Sequence, residues 1–164
     1  MSAQPAEAGL ARGLDSPSSI ALFRLAGRPC AVAATAVVEI LAAVAVTPLP
    51  RQPAYIAGVV DLRGTIVPVL DLRVRFGIPA RPMELSDRLI VIRASGRLLM
   101  LWVDDVEAFA PVDLTTWNGA GGLVTGDPGL AGVVASSDGV TAIYDVDAFV
   151  AQCEADAVFD AVPA

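Results

Sequence analysis

The chain contains no histidine and no lysine, and all 11 of its cations are arginines. Without histidine, Ser-His-Asp and Cys-His nucleophile activation are excluded, as is the commonest metal ligand. Aromatic residues are scarce, 5% against 55% hydrophobic residues, so the core must be packed from Ala, Val and Leu. There are only two cysteines, Cys30 and Cys153. That is too few for a disulfide framework in a chain of this size. Cys30 is expected to be a buried free thiol and Cys153 an incidental one, in keeping with a reducing cytoplasm. Positive charge is also short, with 11 cations against 18 acids and a net charge of −7. This argues against nucleic acid as a partner, because phosphate binding needs a clustered positive field. A long apolar run is missing too. The best candidate, "CAVAATAVVEILAAVAV" at 30–46, falls short of the roughly 20 residues of a spanning helix. It also carries Glu39 at its middle, where a carboxylate costs about 2.5–3.5 kcal/mol to insert. The run is read as buried strand and turn, with no direct membrane insertion. The first residues lack the apolar stretch of a signal peptide, and residues 1–18 are expected to form a flexible tail.

What is present points to an all-β domain. The 164 residues predict one domain, long enough to bury roughly 68–70% of its unfolded surface. "SIALFRLAG" (19–27) alternates and ends at a Gly-Arg-Pro turn. "RLIVIRASGRLLMLWVDDV" (88–106) and "LAGVVASSDGVTAIYDV" (130–146) read as hairpins turning at Ala94-Ser95-Gly96 and Ser137-Asp138-Gly139. "TPLPRQP" (47–53) is an extended connection, "TTWNGAGG" (115–122) a loop, and "DAFVAQCEADAVFDAV" (147–162) a terminal helix. Short strands at regular spacing predict a sandwich or barrels. The chain also echoes itself. Gly27-Arg28 is followed by Val38-Glu39, and Gly96-Arg97 by Val106-Glu107, one residue closer. "AGVVDLRGTIVPVLDL" (57–72) is similar to "AGVVASSDGVTAIYDV" (131–146). Two similar halves fit two small barrels sharing one core. Pro68, which cannot donate to a ladder, is expected on an edge strand or at a bulge where the chain bends between barrels.

Catalytic chemistry finds little footing. Asp104 and Asp105 are neighbours in a strand and face opposite sides. With Glu107 they offer at most one weak oxygen site, and a solvated strand end is the simpler expectation. The glycine-rich stretches match neither the dinucleotide fingerprint nor the Walker pattern, so no cofactor or metal is expected. The arginines of 55–79 remain, Arg63, Arg73 and Arg75. Arg63 precedes Gly64 at a tight turn, which displays its five-donor fork to a partner carboxylate or carbonyl. An ordinary surface charge, or an internal pair with Asp61 or Asp71, is the alternative. Glu39, in an apolar strand, must be exposed or paired. Exposed, it marks a protein-binding face; paired, its natural partner is Arg63.

"IAGVVDLRGTIVPVLDLRVRFGIP" (56–79) resembles the signature of the CheW family of chemotaxis coupling proteins. That signature runs Gly-hydrophobic-hydrophobic-Asn-Leu-Arg-Gly and then a Val-Pro strand ending in Asp-Leu. Residues 23–41, 90–109 and 130–150 are similar to the family's first strands, central hairpin and final hairpin. The resemblance implies two intertwined five-stranded SH3-like barrels sharing a core, with short helices and a C-terminal helix. It places the domain at 19–150 and a helix or tail at 151–164. It implies no enzyme activity, and two partners: the cytoplasmic hairpin tip of a chemoreceptor and the regulatory domain of a CheA-type histidine kinase. A cytoplasmic place at membrane-associated receptor arrays follows. Carried over, the receptor groove would comprise Val37, Glu39, Arg63, Met100 and Val106, with Gly58 and Gly64 shaping the turns that present Arg63. The chain departs from the pattern at Asp61, where Asn is usual, at Met100, where a small residue is expected, and at Asp105, where Gly is common. Met100 and Asp61 motivate the alternative, an interaction module of the same fold rewired to a motility or scaffold complex. An enzyme with two converging carboxylates is the third class.

Overall fold

The computed structural model describes residues 16–119, 129–137 and 139–161. Most of the expected tail over 1–18, Asp138 of the second hairpin turn and the end of the 115–122 loop lie outside the described residues. The elements run β1 (Ser19–Leu25), β2 (Arg28–Ala33), a 3-10 turn (Ala34–Ala36), β3 (Val37–Ala42), β4 (Ile56–Leu62), β5 (Thr65–Asp71) and α1 (Leu72–Arg75). There follow β6 (Arg88–Ala94), β7 (Arg97–Val103), β8 (Asp105–Pro111), a 3-10 turn (Leu114–Thr116), β9 (Asn118–Gly119), β10 (Leu130–Ser136), β11 (Gly139–Tyr144) and α2 (Val146–Ala155).

The strands form two sheets. One, barrel one, has the order β8-β1-β2-β11-β10-β9; the other, barrel two, has β3-β6-β7-β5-β4. Barrel two has the expected five strands. Barrel one has a sixth, the two-residue β9, within what the sequence suggested was loop. Each barrel takes one strand from the far side of the chain. β3 follows β2 but pairs with β6, and β8 follows β7 but pairs with β1. This exchange intertwines the two barrels.

The buried apolar residues accordingly fall into three layers. Ile20, Ala31, Val134 and Ile143 fill barrel one. Val67, Val69, Leu89, Val91, Met100 and Trp102 are central to barrel two. The largest cluster, which includes Phe23, Leu25, Leu70, Ile90, Leu101 and Phe149, lies between them and draws on both sheets. Alternation explains the division. Along β1, Ile20 points into barrel one while Ala21, Phe23 and Leu25 point into the shared layer.

The internal echo is structural. β4–β5 and β10–β11 are matching hairpins, each leading into a helix whose N-cap is the closing Asp, Asp71 or Asp145. Val59 pairs with Pro68 as Val133 pairs with Ala142. The second strand of each runs parallel to the neighbouring hairpin, β5 beside β7 and β11 beside β2. The exchanged strands match too, and here the echo is corrected by one residue. Leu25 faces Arg28 as Ala94 faces Arg97, so Val106 opposite Phe23 corresponds to Val37 opposite Ile92. Val37, not Val38, is the counterpart of Val106. A bulge follows at the equivalent place in each, so the counterpart of Glu39 is Ala108.

Two expectations about particular residues change. Gly58 does not shape the Arg63 turn. It lies in β4 beside a bulge, with φ of 151°, and a Cβ there would sit 2.2 Å from the carbonyl oxygen of Thr47. Thr47 and Val59 exchange both backbone hydrogen bonds at 2.9 Å, so the chain beyond β3 closes barrel two against β4 at this point. Gly132, its counterpart, is crowded in the same way by Asn118. Pro68 is on neither an edge strand nor a bulge, since β5 lies between β7 and β4. Because Val59 spends both its polar groups on Thr47, the Pro68 nitrogen faces away from β4. The ladder with β7 begins only at Val69, so no donor is missed.

The C-terminal helix starts at Val146, ahead of the expected boundary at 151, and buries Val146, Phe149, Val150 and Cys153 in the shared layer. Cys153 is therefore not incidental; it is as buried as Cys30. The Tyr55 hydroxyl donates to Asp156 Oδ2 at 2.5 Å, tying the end of α2 to the segment before β4. Burial, and then this bond, raise the phenol above its ordinary pKa. Among the described residues no helix is long and apolar enough to cross a membrane.

Gly58→Ala is expected to destabilise the fold by about 1–3 kcal/mol, the usual cost of forcing a methyl into a filled site. Urea denaturation monitored by circular dichroism reads the change. Gly64→Ala, where added volume meets nothing within 4 Å, is the comparison for strain without crowding.

Candidate interaction site

The turn joining β4 and β5 presents Arg63. Arg63 and Gly64 have φ of 50° and 91°, the positive values that a type I′ hairpin turn requires at both central residues. Gly64 takes this conformation freely, as expected. Asp61 Oδ1 accepts the Gly64 N–H at 2.7 Å and fixes the turn from within. An asparagine oxygen could accept the same bond, so the Asp61 departure leaves the turn chemistry intact.

On this turn Arg63 Nη2 donates to Glu39 Oε2. The Arg63 side chain keeps 70% of its surface exposed and Glu39 keeps 28%. Both readings of Glu39 thus hold together: it is paired, and the pair faces solvent. At that exposure an ion pair contributes about 0–1 kcal/mol to stability, so the fold does not depend on it. The guanidinium has five N–H donors, and one is committed to Glu39. Beside it is a concavity of about 470 Å³ whose walls include Leu41, Val44, Thr47, Val60 and Leu62, with Arg63 at its rim. Val44 is 41% exposed there.

The other expected groove residues are distributed differently. Val37 and Val106 are half-buried, pack against the shared layer and stand at corresponding positions of the two barrels. Met100 is fully buried inside barrel two, packed with Val67, Val69, Leu89 and Val91. It cannot floor a groove. Its side chain points inward because its neighbours Leu99 and Leu101 face the shared layer. Its counterpart in barrel one is Ala31, so the larger side chain is a matter of filling one barrel rather than of altering a surface. Glu39, Arg63 and Gly64 are thus brought together, Val37 and Val106 lie half-buried against the shared layer, one on each barrel, and Met100 and Gly58 belong to the core and the barrel closure.

The three acids of 104–107 do separate things. Glu107 pairs with Arg24 at 2.9 Å, and Asp105 accepts the Val106 amide. Asp104 is not a solvated strand end. It accepts from Arg73 Nη2 at 2.7 Å and from Arg81 Nη2 at 2.9 Å. Arg81 in turn forks onto Asp87, at 2.8 and 2.9 Å. Asp87 is 1% exposed and also accepts from Trp102 Nε1 at 3.0 Å and the Glu84 amide at 2.8 Å. Burial alone would raise the Asp87 carboxyl. The Arg81 fork and the two further donors outweigh it and hold the group below the usual carboxylate range. Nothing in the sequence announced this network, because its links range from 3 positions (Glu84–Asp87) to 31 (Arg73–Asp104) and follow no helix or strand period. Arg75, by contrast, lies over the Phe149 ring at 5.6 Å.

A linkage effect follows from Asp87. A carboxyl lowered in the folded state contributes stability that is fully present above its unfolded value, about 3.9, and is lost as pH falls through the folded value. Asp87→Asn is expected to cost about 3 kcal/mol at pH 7, since it leaves Arg81 half-buried without its main partner. The difference from the parent should begin to shrink below about pH 4, where the unfolded chain takes up the proton, and go on shrinking as pH falls through the lower folded value. Urea denaturation at pH 7 and pH 3 reads both.

Comparison with known proteins agrees with this architecture. The family model described as CheW-like domain matches residues 19–154. The chain is 36% identical over 84 residues to chemotaxis protein CheW of Rhizobium meliloti, covering 51% of this chain and 54% of that protein. It is 31% identical over 68 residues to chemotaxis protein CheW of Helicobacter pylori, 42% of this chain and 41% of that protein. Protein FrzA of Myxococcus xanthus is 46% identical over 50 residues, 30% and 31% of the two chains. The chain thus spans about half the length, or less, of these curated relatives. The crystal structure of the scaffolding protein TtCheW from Thermoanaerobacter tengcongensis superposes with a TM-score of 0.71 at 30% identity, covering 79% of this chain and 90% of that one. With its exchanged strands, shared apolar layer and matched hairpins, the chain belongs to the CheW-like domain family.

Proposed function

We propose that this protein is a non-catalytic adaptor of a chemosensory array. It holds the cytoplasmic hairpin tip of a chemoreceptor in fixed relation to the regulatory domain of a CheA-type histidine kinase. The observation that carries the reading is the solvent-facing pair between Arg63 on the β4–β5 turn and Glu39 on β3, next to a concavity with Leu41, Val44, Val60 and Leu62 in its walls. An amphipathic helix laid on such a surface finds apolar area and a guanidinium with donors to spare. The pair adds little to stability, so its placement is better explained by recognition than by folding. Val37 and Val106 supply apolar contact at the rim between barrels. The working unit is residues 19–150 together with α2, which packs into the same core. The place of action is the cytoplasm, at receptor arrays. Met100 is buried and Asp61 performs the turn bond available to Asn, so neither of the two departures favours the rewired alternative.

The test is calorimetric titration with a soluble receptor hairpin tip and with a kinase regulatory domain. Micromolar binding to both is expected. Arg63→Glu and Glu39→Arg should each weaken receptor-tip binding at least tenfold, about 1.4 kcal/mol, without lowering the unfolding temperature by more than a few degrees. The combined swap Glu39→Arg with Arg63→Glu should restore the internal pair but not the affinity. Absence of binding to either partner at high micromolar concentration, or full affinity in the swapped protein, contradicts the reading.

A further inference from the structure

The chain crosses between barrels twice by exchanged strands, and the two crossings are built differently. The first, the turn Ala34–Ala36, brings the chain from β2 to β3. It supplies no charge, and a cleft of about 720 Å³ opens beside it, between Ala33, Thr35, Ala36, Ser95, Asp145 and Asp147. The second takes the chain from β7 to β8 through Asp104. The equivalent position at the first crossing is Thr35, eight residues after Gly27 as Asp104 is eight after Gly96.

Asp104 is held from both sides. From barrel one, the Ala26 amide donates to its Oδ2 at 2.8 Å, and its own amide donates to the Arg24 carbonyl at 3.0 Å. From the barrel-two side, Arg73 on α1 donates to both oxygens, at 3.3 and 2.7 Å, and Arg81 donates to Oδ1 at 2.9 Å. Arg81 is anchored in turn on the buried Asp87, and Asp87 on Trp102 inside barrel two. The Arg73 and Asp104 side chains are 14% and 22% exposed, so these charges are screened far less than the Glu39–Arg63 pair. Two residues beyond Asp104 stands Val106 on barrel one; its counterpart Val37 stands on barrel two.

We infer that Asp104 is a one-sided latch between the barrels, a positioning residue that sets the separation of the Val37 and Val106 walls while the crossing at Ala34–Ala36 is the side that yields. The angle between barrels is thereby pinned at one crossing by a carboxylate held between two guanidinium groups and an amide, whereas at the other the described residues supply apolar packing and one exposed bond, from Ser95 Oγ to Asp147 Oδ1 at 3.1 Å. Apolar contact resists separation but is non-directional and fixes orientation poorly, whereas a carboxylate gripped by two guanidinium groups and an amide has one favourable geometry. The consequence for receptor recognition rests on the function proposed above; the consequence for geometry does not.

The test is a pair of spin labels on cysteines introduced at Val38 and Phe109. These residues are 48% and 52% exposed and lie on barrel two and barrel one respectively. The native Cys30 and Cys153 are buried and their thiols are pushed by burial up to about 11, so labelling at the exposed sites is selective. The labelled parent should give one narrow distance distribution by pulsed electron resonance. Asp104→Ala, which leaves the Arg81–Asp87 pair in place, should at least double its width. Hydrogen exchange at the Ala26 amide should accelerate at least tenfold, while the amides of Val69 and Ile143 inside the two barrels keep their protection. Val69→Ala, a packing variant of barrel two, is the control: it should lower the unfolding temperature without broadening the distribution. An unchanged distribution in Asp104→Ala, or equal broadening in Val69→Ala, overturns the latch. Receptor-tip affinity is then measured on the same proteins. A tenfold loss in Asp104→Ala but not in Val69→Ala supports the positioning role. A broadened distribution with undiminished affinity overturns it, provided Arg63→Glu still weakens binding. If Arg63→Glu has no effect either, the failure lies with the proposed function and the distance result alone decides the latch.

Discussion

The apolar layer between the two sheets is the constraint on which the molecule depends. Phe23, Leu25, Ile90, Ile92, Leu99, Leu101 and Phe149 belong to neither barrel interior and are fully or almost fully buried. Each such side chain contributes about 1.5–3 kcal/mol when withdrawn from water. A single barrel with this face exposed would present a large apolar patch, which soluble proteins seldom tolerate. The exchange of β3 and β8 follows from the same need, because each exchanged strand carries its own apolar positions, Val37 and Val106 among them, onto the partner sheet and over the layer.

Against this non-directional background, polar groups supply orientation. Their energies differ by burial more than by type. The Glu39–Arg63 pair is open to water and contributes little to folding, which leaves it available for a partner. The Arg73–Asp104–Arg81–Asp87 chain is sheltered, and its loss would strand a charge in apolar surroundings. The same residue chemistry thus underlies both the recognition proposed at one end of barrel two and the latch proposed at the other. The internal symmetry sharpens the contrast: the counterpart of Glu39 is Ala108 and that of Arg63 is Ser137, so only one of two similar hairpin ends carries the charged pair.

Much of the fold was legible in the sequence because it rests on local signals. Ala-Gly-Val-Val occurring twice, each time with an Asp some fourteen residues on, reflects two crowded glycines and two helix N-caps. The hairpins at Ser95-Gly96 and Arg63-Gly64 were readable because positive φ selects glycine there. Less legible were features set by tertiary pairing. Met100 sits in a run of apolar residues, and whether it faces the barrel or a groove depends on strand order. Gly58 has a turn role only through the resemblance, and nothing in its own stretch reveals the Thr47 backbone lying where a Cβ would sit. Pro68 invited an edge assignment because the register that excuses its missing donor is set by Val59 and Thr47. The buried network was invisible for the same reason: Arg81 and Asp87 lie in a segment that reads as loop, and Trp102 in a strand that reads as core.

A shared layer of this kind should make the two barrels one cooperative unit. The chain has two tryptophans, and they report on opposite halves: Trp102 lies in barrel two and Trp117 packs against the interior of barrel one. Denaturant unfolding of Trp102→Phe and Trp117→Phe, each followed by its remaining tryptophan and by far-ultraviolet circular dichroism, tests this directly. The account predicts that in each protein the two signals trace one transition with a common midpoint. Separate midpoints, with one barrel melting while the other retains its structure, would contradict it.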